Sequence, residues 1–248
     1  MKLNKIDPKF ISNANPRIGL ITLGSDFRIE KDFNNVIYGK KIDLYVNRIH
    51  CYNPLTNVTL AKMADDITEV TNDILPGETI DCVAYGCTSG TIAAGYKTIK
   101  SKINLAKPDA KVTTPITSTI KALKKLDIKK ISIFTPYTKE INDSVVSYFN
   151  NENIIINSLT YFDIASDLDI GKVDENYLFD ILSKINLEDS DALFVSCTAL
   201  PVLSIIDKLE KKLNKIVLSS NQTLIWEALN LVGNKESVTG YGKIFEIN

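Results

Sequence analysis

The segment Asp81-Cys-Val-Ala-Tyr-Gly-Cys-Thr88 is nearly repeated as Asp191-Ala-Leu-Phe-Val-Ser-Cys-Thr198. Each copy is an acidic residue, an apolar run and then Cys-Thr. A short, continuous apolar run bounded by turn-forming residues is the pattern of a strand buried on both faces, as in a parallel sheet. Two other stretches correspond in the same order. Ile18-Gly-Leu-Ile-Thr-Leu-Gly-Ser25 matches Ile131-Ser-Ile-Phe-Thr-Pro-Tyr-Thr138, and Val112-Thr-Thr-Pro-Ile-Thr-Ser-Thr119 matches Val217-Leu-Ser-Ser-Asn-Gln-Thr-Leu224. Three correspondences in one order imply two units of similar topology, each offering one thiol from the end of a strand. The repeat is too long and divergent for a solenoid array.

The rest of the chain agrees with this. Strand-like runs at Arg17–Leu23, Ile42–Ile49, Thr79–Tyr85, Lys111–Thr113, Lys130–Phe134, Ile154–Leu159, Ala192–Val195 and Ile216–Leu218 alternate with helical patterns. The helical patterns lie near 57–75, 89–103, 116–127, 138–150, 174–186, 200–213 and 222–231. Strand–helix alternation predicts an α/β fold of two pseudo-symmetric Rossmann-like (flavodoxin-like) units with parallel sheets. The expected units are 1–118, carrying Cys87, and 119–219, carrying Cys197, with the C-terminal segment 220–248 packing back on the first. Ligands of open α/β sheets bind beyond the carboxyl ends of the strands. Both Cys-Thr motifs fall there, so the active site is expected in the cleft between the units.

Bulk properties narrow the classes. The 248 residues are 44% hydrophobic and 24% charged, with a formal net charge of −1. That balance gives no reason to expect nucleic acid or an anionic membrane as partner. No apolar run approaches the roughly 20 residues of a membrane span. The N-terminus is polar and lacks a secretory apolar segment, so a cytoplasmic location is expected. Four cysteines and one histidine, with no C-x-x-C pair, argue against a disulfide scaffold, a structural zinc site or a His-based triad. His50 and Cys51 are read as neighbours on a strand, facing opposite sides.

The candidate chemistry gathers at strand ends. Cys87-Thr-Ser-Gly-Thr91 follows a strand and opens a helical pattern, where free N–H groups and the helix dipole favour a thiolate and bind carboxylates. Thr88 and Ser89 add hydroxyl donors, and Gly90 admits close approach; a plain helix cap beside an inert cysteine is the bland alternative. In Ser196-Cys-Thr-Ala-Leu-Pro201, Pro201 suits a helix first turn, and Thr198 either caps that helix or donates to a ligand. Ser25 and Asp26 close the first strand; Asp26 is a helix cap or binds a substrate ammonium. Tyr137 closes the corresponding strand of the second unit, as a packing aromatic or a hydrogen-bond donor to a carboxylate or enolate. Asn221 is a helix N-cap or a polar ligand. Cys82 reads as structural, and residues 160–169 as a loop or a lid.

Taken together, Cys-Thr-Ser-Gly-Thr from Cys87, Ser196-Cys-Thr198, Thr135-Pro-Tyr137 and Ser219-Ser-Asn-Gln222 resemble the Asp/Glu racemase superfamily. The closer resemblance is to the branch of maleate cis–trans isomerase, arylmalonate decarboxylase and ectoine-utilisation racemase-like proteins, over roughly residues 17–233. The resemblance implies an isomerase with reactive Cys87 and Cys197, a pocket of Thr88, Ser89, Tyr137 and Thr198, no cofactor, no metal, and a homodimer or homotetramer. Decarboxylases of the branch keep only the second cysteine, so two thiols count against simple decarboxylation. Maleate isomerases carry Ser-Ser-Asn after the first strand, and that Asn binds a substrate carboxylate; here the stretch is Gly24-Ser-Asp26. An Asp there, as in the ectoine-utilisation type, favours an ammonium or amide over a second carboxylate. The expected function is a cofactor-independent racemase or isomerase of a small carboxylate, an amino-acid derivative, by two-cysteine proton transfer. The alternatives are maleate-type cis–trans isomerisation by Cys87 addition, decarboxylation of a malonate-like acid, and a two-lobed small-molecule binding protein.

Overall fold

A computed structural model describes residues 1, 3–11 and 15–247. The first half runs β1 (Arg17–Leu23), α1 (Ile29–Ile37), β2 (Asp43–Ile49), α2 (Asn57–Lys62), α3 (Ile67–Asn72), β3 (Cys82–Gly86), α4 (Thr88–Ala94), α5 (Tyr96–Ala106), β4 (Lys111–Thr113) and α6 (Pro115–Lys125). The second half runs β5 (Lys130–Thr135), α7 (Lys139–Asn151), β6 (Ile155–Tyr161), α8 (Asp167–Gly171), α9 (Glu175–Leu182), β7 (Ala192–Val195), α10 (Ile206–Leu213), β8 (Ile216–Ser219) and α11 (Ser220–Leu231). Short 3-10 turns occupy Met63–Asp66, Leu203–Ile205 and Lys243–Glu246.

Each half forms a four-stranded sheet, in the order β2-β1-β3-β4 and β6-β5-β7-β8. All pairings are parallel, with Ile18 opposite Cys82 in the first sheet and Ile131 opposite Ala192 in the second. The repeat in the sequence is therefore a repeat of topology. The strands that lead to the two cysteines, β3 and β7, are buried along their whole length. The edge strands β2 and β6 are only partly covered. Helix α11 is buried nearly all round, because it wedges against α6, β3 and β4 of the first sheet. The Thr119 and Thr223 hydroxyls, 2.9 Å apart, tie α6 to α11.

Several boundaries depart from the pattern reading. The helix expected over 57–75 is two short helices joined by a 3-10 turn, where Asp65, Asp66 and Thr68 weaken a long regular helix. The pattern at 89–103 is two helices divided at Gly95, whose φ of +83° suits glycine. The helix expected from 200 begins only at Ile206. Pro201 disfavours helical geometry at Leu200, and the Val202 N–H turns back onto the Leu200 carbonyl at 2.9 Å. Pro201 thus precedes a turn rather than opening a helix. Among the described residues no helix is long and apolar enough to cross a membrane.

The second sheet's core is read at Phe194, fully buried on β7 and in edge-to-face contact with Phe149 of α7 at 5.6 Å between centroids. Phe194→Ala should cost about 3–5 kcal/mol. Denaturant unfolding checks this, and a loss below about 1 kcal/mol would show that the site collapses without a cavity.

Candidate active site

The two Cys-Thr motifs meet between the carboxyl ends of the two sheets. Cys87 is the N-cap of α4, with φ −142° and ψ 113°, and its Sγ accepts the Gly90 N–H at 3.2 Å. Gly90 is required here: a Cβ on it would sit 2.8 Å from Cys87 Sγ. Cys197 takes a φ of +97°, a strained backbone for a residue with a side chain. No helix begins behind it, so the second thiol lacks the helix N-terminus that the pattern suggested.

A seam of hydrogen bonds joins the motifs. Ser220 Oγ, at the start of α11, accepts from the Thr88 hydroxyl at 2.8 Å and from the Cys197 N–H at 3.0 Å. Thr198 Oγ1 donates back to the Gly86 carbonyl at 3.2 Å. Asn221 does not cap its helix. Ser219 does, accepting the Gln222 N–H at 3.2 Å. Asn221 Nδ2 donates instead to the Thr198 carbonyl at 2.9 Å and to Asp32 Oδ2 at 2.7 Å.

Cys87, Thr88, Ser89, Tyr137, Cys197 and Thr198 all line one cavity, with Leu23, Leu55, Leu60 and Asp167. Its water-accessible volume is about 10 Å³, room for roughly one water. Tyr137 is buried, and its hydroxyl accepts from Ser196 Oγ at 3.3 Å. Asn142 fixes the Tyr137 loop by donating to its carbonyl at 3.0 Å. Ser25 Oγ donates to Asp167 Oδ2 at 2.5 Å. Asp26 is buried; its Oδ1 accepts the Arg28 and Ile29 N–H groups at 2.7 and 3.1 Å, and its Oδ2 has no partner. Asp26 therefore caps the start of α1 and still offers a free oxygen.

Four residues escaped the sequence reading. Asp167 lies in the segment 160–169, which has no periodic pattern; the short helix α8 carries it to the cavity. Ser220 lay within Ser219-Ser-Asn-Gln222 without a role of its own. Asp32 sits on α1, a helix the pattern did not resolve. Cys51 lies just past the end of β2, so His50 and Cys51 are in a loop rather than on a strand. The Cys51 thiol interacts with Ser25 and Asp167.

Burial dominates the electrostatics. It pushes Cys87 up, against the opposing pull of the Gly90 N–H. It pushes Cys197 well up, and nearby Asp167 adds to the rise. The helix N-terminus at Cys87 is thus outweighed in this closed site, contrary to the expectation of a lowered thiol. Burial also raises Asp26, opposed by its backbone N–H donors. It raises Asp167 to about 6, opposed by Ser25, and Asp32 to about 7, opposed by Asn221. Among the described residues no group of three or more His, Cys, Asp or Glu side chains is placed to hold a metal ion.

The sequence profile described as arylmalonate decarboxylase matches residues 93–245. This chain belongs to the arylmalonate decarboxylase family. Over 244 residues it is 24% identical to the maleate isomerase of Geobacillus stearothermophilus, covering 92% of this chain and 96% of that protein. It is 26% identical over 137 residues to the arylmalonate decarboxylase of Bordetella bronchiseptica, covering 54% of this chain and 57% of that protein. Its fold is that of the Nocardia farcinica maleate cis–trans isomerase, seen as a cysteine-to-serine variant with a covalently bound succinylcysteine intermediate. The TM-score is 0.87 at 18% identity, covering 94% of this chain and 99% of the other.

Asp32 yields a pH prediction. Its folded pKa is raised to about 7, above the ordinary value of about 3.9. The folded state therefore holds the proton more tightly than the unfolded state. The stability this contributes is complete below about pH 4 and is lost as pH rises through about 7. Asp32→Asn keeps an acceptor for Asn221 and removes the charge. The variant should match the parent near pH 4 and melt higher than it at pH 8. Melting curves that run parallel across this range would show that Asp32 ionises freely.

Proposed function

We propose that this chain is a cofactor-independent isomerase acting on a small carboxylate that also carries an ammonium group, by proton transfer between Cys87 and Cys197. The observation that supports this most is the content of the cavity. Two thiols share it with the Asp167 carboxylate, Asp26 keeps a free buried oxygen nearby, and no Lys or Arg lines it. A dianion finds the Asp167 carboxylate there and no lining cation among the described residues. A zwitterion can place its ammonium against Asp26 and Asp167 and its carboxylate at the Ser89 hydroxyl, since the Thr88 and Thr198 hydroxyl protons are held by Ser220 and the Gly86 carbonyl.

In this mechanism one cysteine, as thiolate, takes the proton from the carbon next to the carboxylate. The pair of electrons left behind spreads into the carboxylate as an enediolate. The other cysteine, as thiol, gives its proton to the opposite face. The base is much weaker than the carbanion it forms, so the donors around the enediolate must carry the step. Ser89→Ala should lower kcat by about 10²–10³-fold.

The decisive assay incubates a panel of small chiral amino and hydroxy acids with the protein in deuterated water. Inversion and α-deuterium uptake are followed together by mass and by chiral separation. Cys87→Ser and Cys197→Ser should each lose inversion of the accepted substrate. If either variant keeps full inversion and exchange, proton transfer between two cysteines is wrong.

A second reading is favoured by the maleate isomerase relatives and by the succinylcysteine in the Nocardia farcinica neighbour. Here the Cys87 thiolate adds to one carbon of a double bond, the new single bond rotates, and the thiolate leaves as the double bond re-forms. Fumarate produced from maleate, with a covalent adduct on Cys87, identifies this route. Loss of carbon dioxide from a malonate-like acid would identify decarboxylation instead.

A further inference from the structure

Strand β3 ends one residue before Cys87. Side chains two apart on an extended chain share a face, so Tyr85 points to the same side as Cys87. Tyr85 is fully buried, and its hydroxyl has no hydrogen-bond partner. The hydroxyl and the sulfur converge over Gly90. A Cβ built there would lie 2.8 Å from Cys87 Sγ and 3.0 Å from the Tyr85 hydroxyl oxygen. After burial, the nearby Cys87 thiol adds to the rise of the Tyr85 phenol. A buried hydroxyl without a partner is costly, and Phe in its place would avoid that cost.

We propose that Tyr85 is a positioning residue for Cys87: its phenol donates a hydrogen bond to the sulfur once the sulfur is a thiolate. A thiol accepts hydrogen bonds weakly, whereas a thiolate accepts them as a charge. The hydroxyl is therefore unpaired in the resting thiol form and paired in the reactive one. That difference favours the thiolate, which burial otherwise opposes.

The other groups around the sulfur do not fill this role. The Gly90 N–H already donates to it, and Ser89 Oγ lies 4.0 Å away. Asp167 from α8 and Cys51 from the loop after β2 both disfavour a charge on it. Cys197 approaches from the loop after β7 and is a competing thiol, not a donor held in place. The second unit supports the reading by contrast. Val195 stands two residues before Cys197, in the place of Tyr85, and Tyr137 from the end of β5 supplies a phenol beside that thiol instead. Each thiol thus has one phenol, delivered from different strands.

The inference rests on Cys87 being a reacting thiol. The test reads thiol ionisation directly, so it can fail while the isomerase reading stands, and the reverse. Site-resolved alkylation of the full-length protein by iodoacetamide is followed by mass spectrometry between pH 7 and 9, where rate is proportional to thiolate fraction. In Tyr85→Phe, labelling of Cys87 should slow about tenfold across the range, since a hydrogen bond to a charged group is the strong kind. Cys197 should label at an unchanged rate, and the melting temperature should hold or rise as the unpaired hydroxyl is removed. An unchanged Cys87 rate overturns the proposal. So does a parallel slowing of both cysteines, or a fall in melting temperature with loss of labelling, since each marks a packing role.

Discussion

Ser220 Oγ holds the two halves of the site together. It accepts the Thr88 hydroxyl from one Cys-Thr motif and the Cys197 N–H from the other. The Thr198 hydroxyl returns a bond to Gly86, at the end of the strand that leads to Cys87. Neither sheet could place both thiols alone, because each supplies only one strand end. The link is possible because α11 follows the last strand of the second sheet and then buries itself against the first. The same link holds Cys197 at a positive φ, which costs of order 1–3 kcal/mol unless the surroundings fix it.

A second constraint follows from how closed the site is. Burial raises Cys87, Cys197, Asp26 and Asp167 together, so charge in or beside the cavity is costly. Under the proposed reading, the substrate resolves this. An ammonium beside Asp26 and Asp167 favours their charged forms, and the same positive charge favours a thiolate nearby. A site that ionises only when the right ligand is inside discriminates by charge as well as by shape.

The fold was largely legible because it rests on patterns that survive divergence. β3 and β7 are continuous apolar runs ended by Cys-Thr, and burial on both faces leaves few other residues possible there. The cavity lining from Cys87 to Ser89, with Tyr137, Cys197 and Thr198, was legible for the same reason, being anchored to strand ends. What was not legible depends on long-range approach. Asp167 arrives from an aperiodic segment, Asp32 from a helix of mixed polarity, and Ser220 acts through an oxygen that also suits a cap box. The helix thought to start at Pro201 failed on a local rule, since Pro201 bars Leu200 from helical geometry. Tyr85 was hidden in plain view, because an aromatic in a buried strand looks like packing until its hydroxyl is found without a partner.

The two thiols, equivalent in the repeat, are not equivalent in their surroundings. Cys87 has the Gly90 N–H, the start of α4 and the Tyr85 phenol beside it. Cys197 has a strained backbone, a turn in place of a helix, and the Tyr137 phenol beside it, while Asp167 opposes charge on both thiols. The thiols thus sit in different local frames, one at a helix start and one at a strained turn. Under the proposed reading, this asymmetry gives the two thiols different roles in turnover, whichever of them starts as the thiolate.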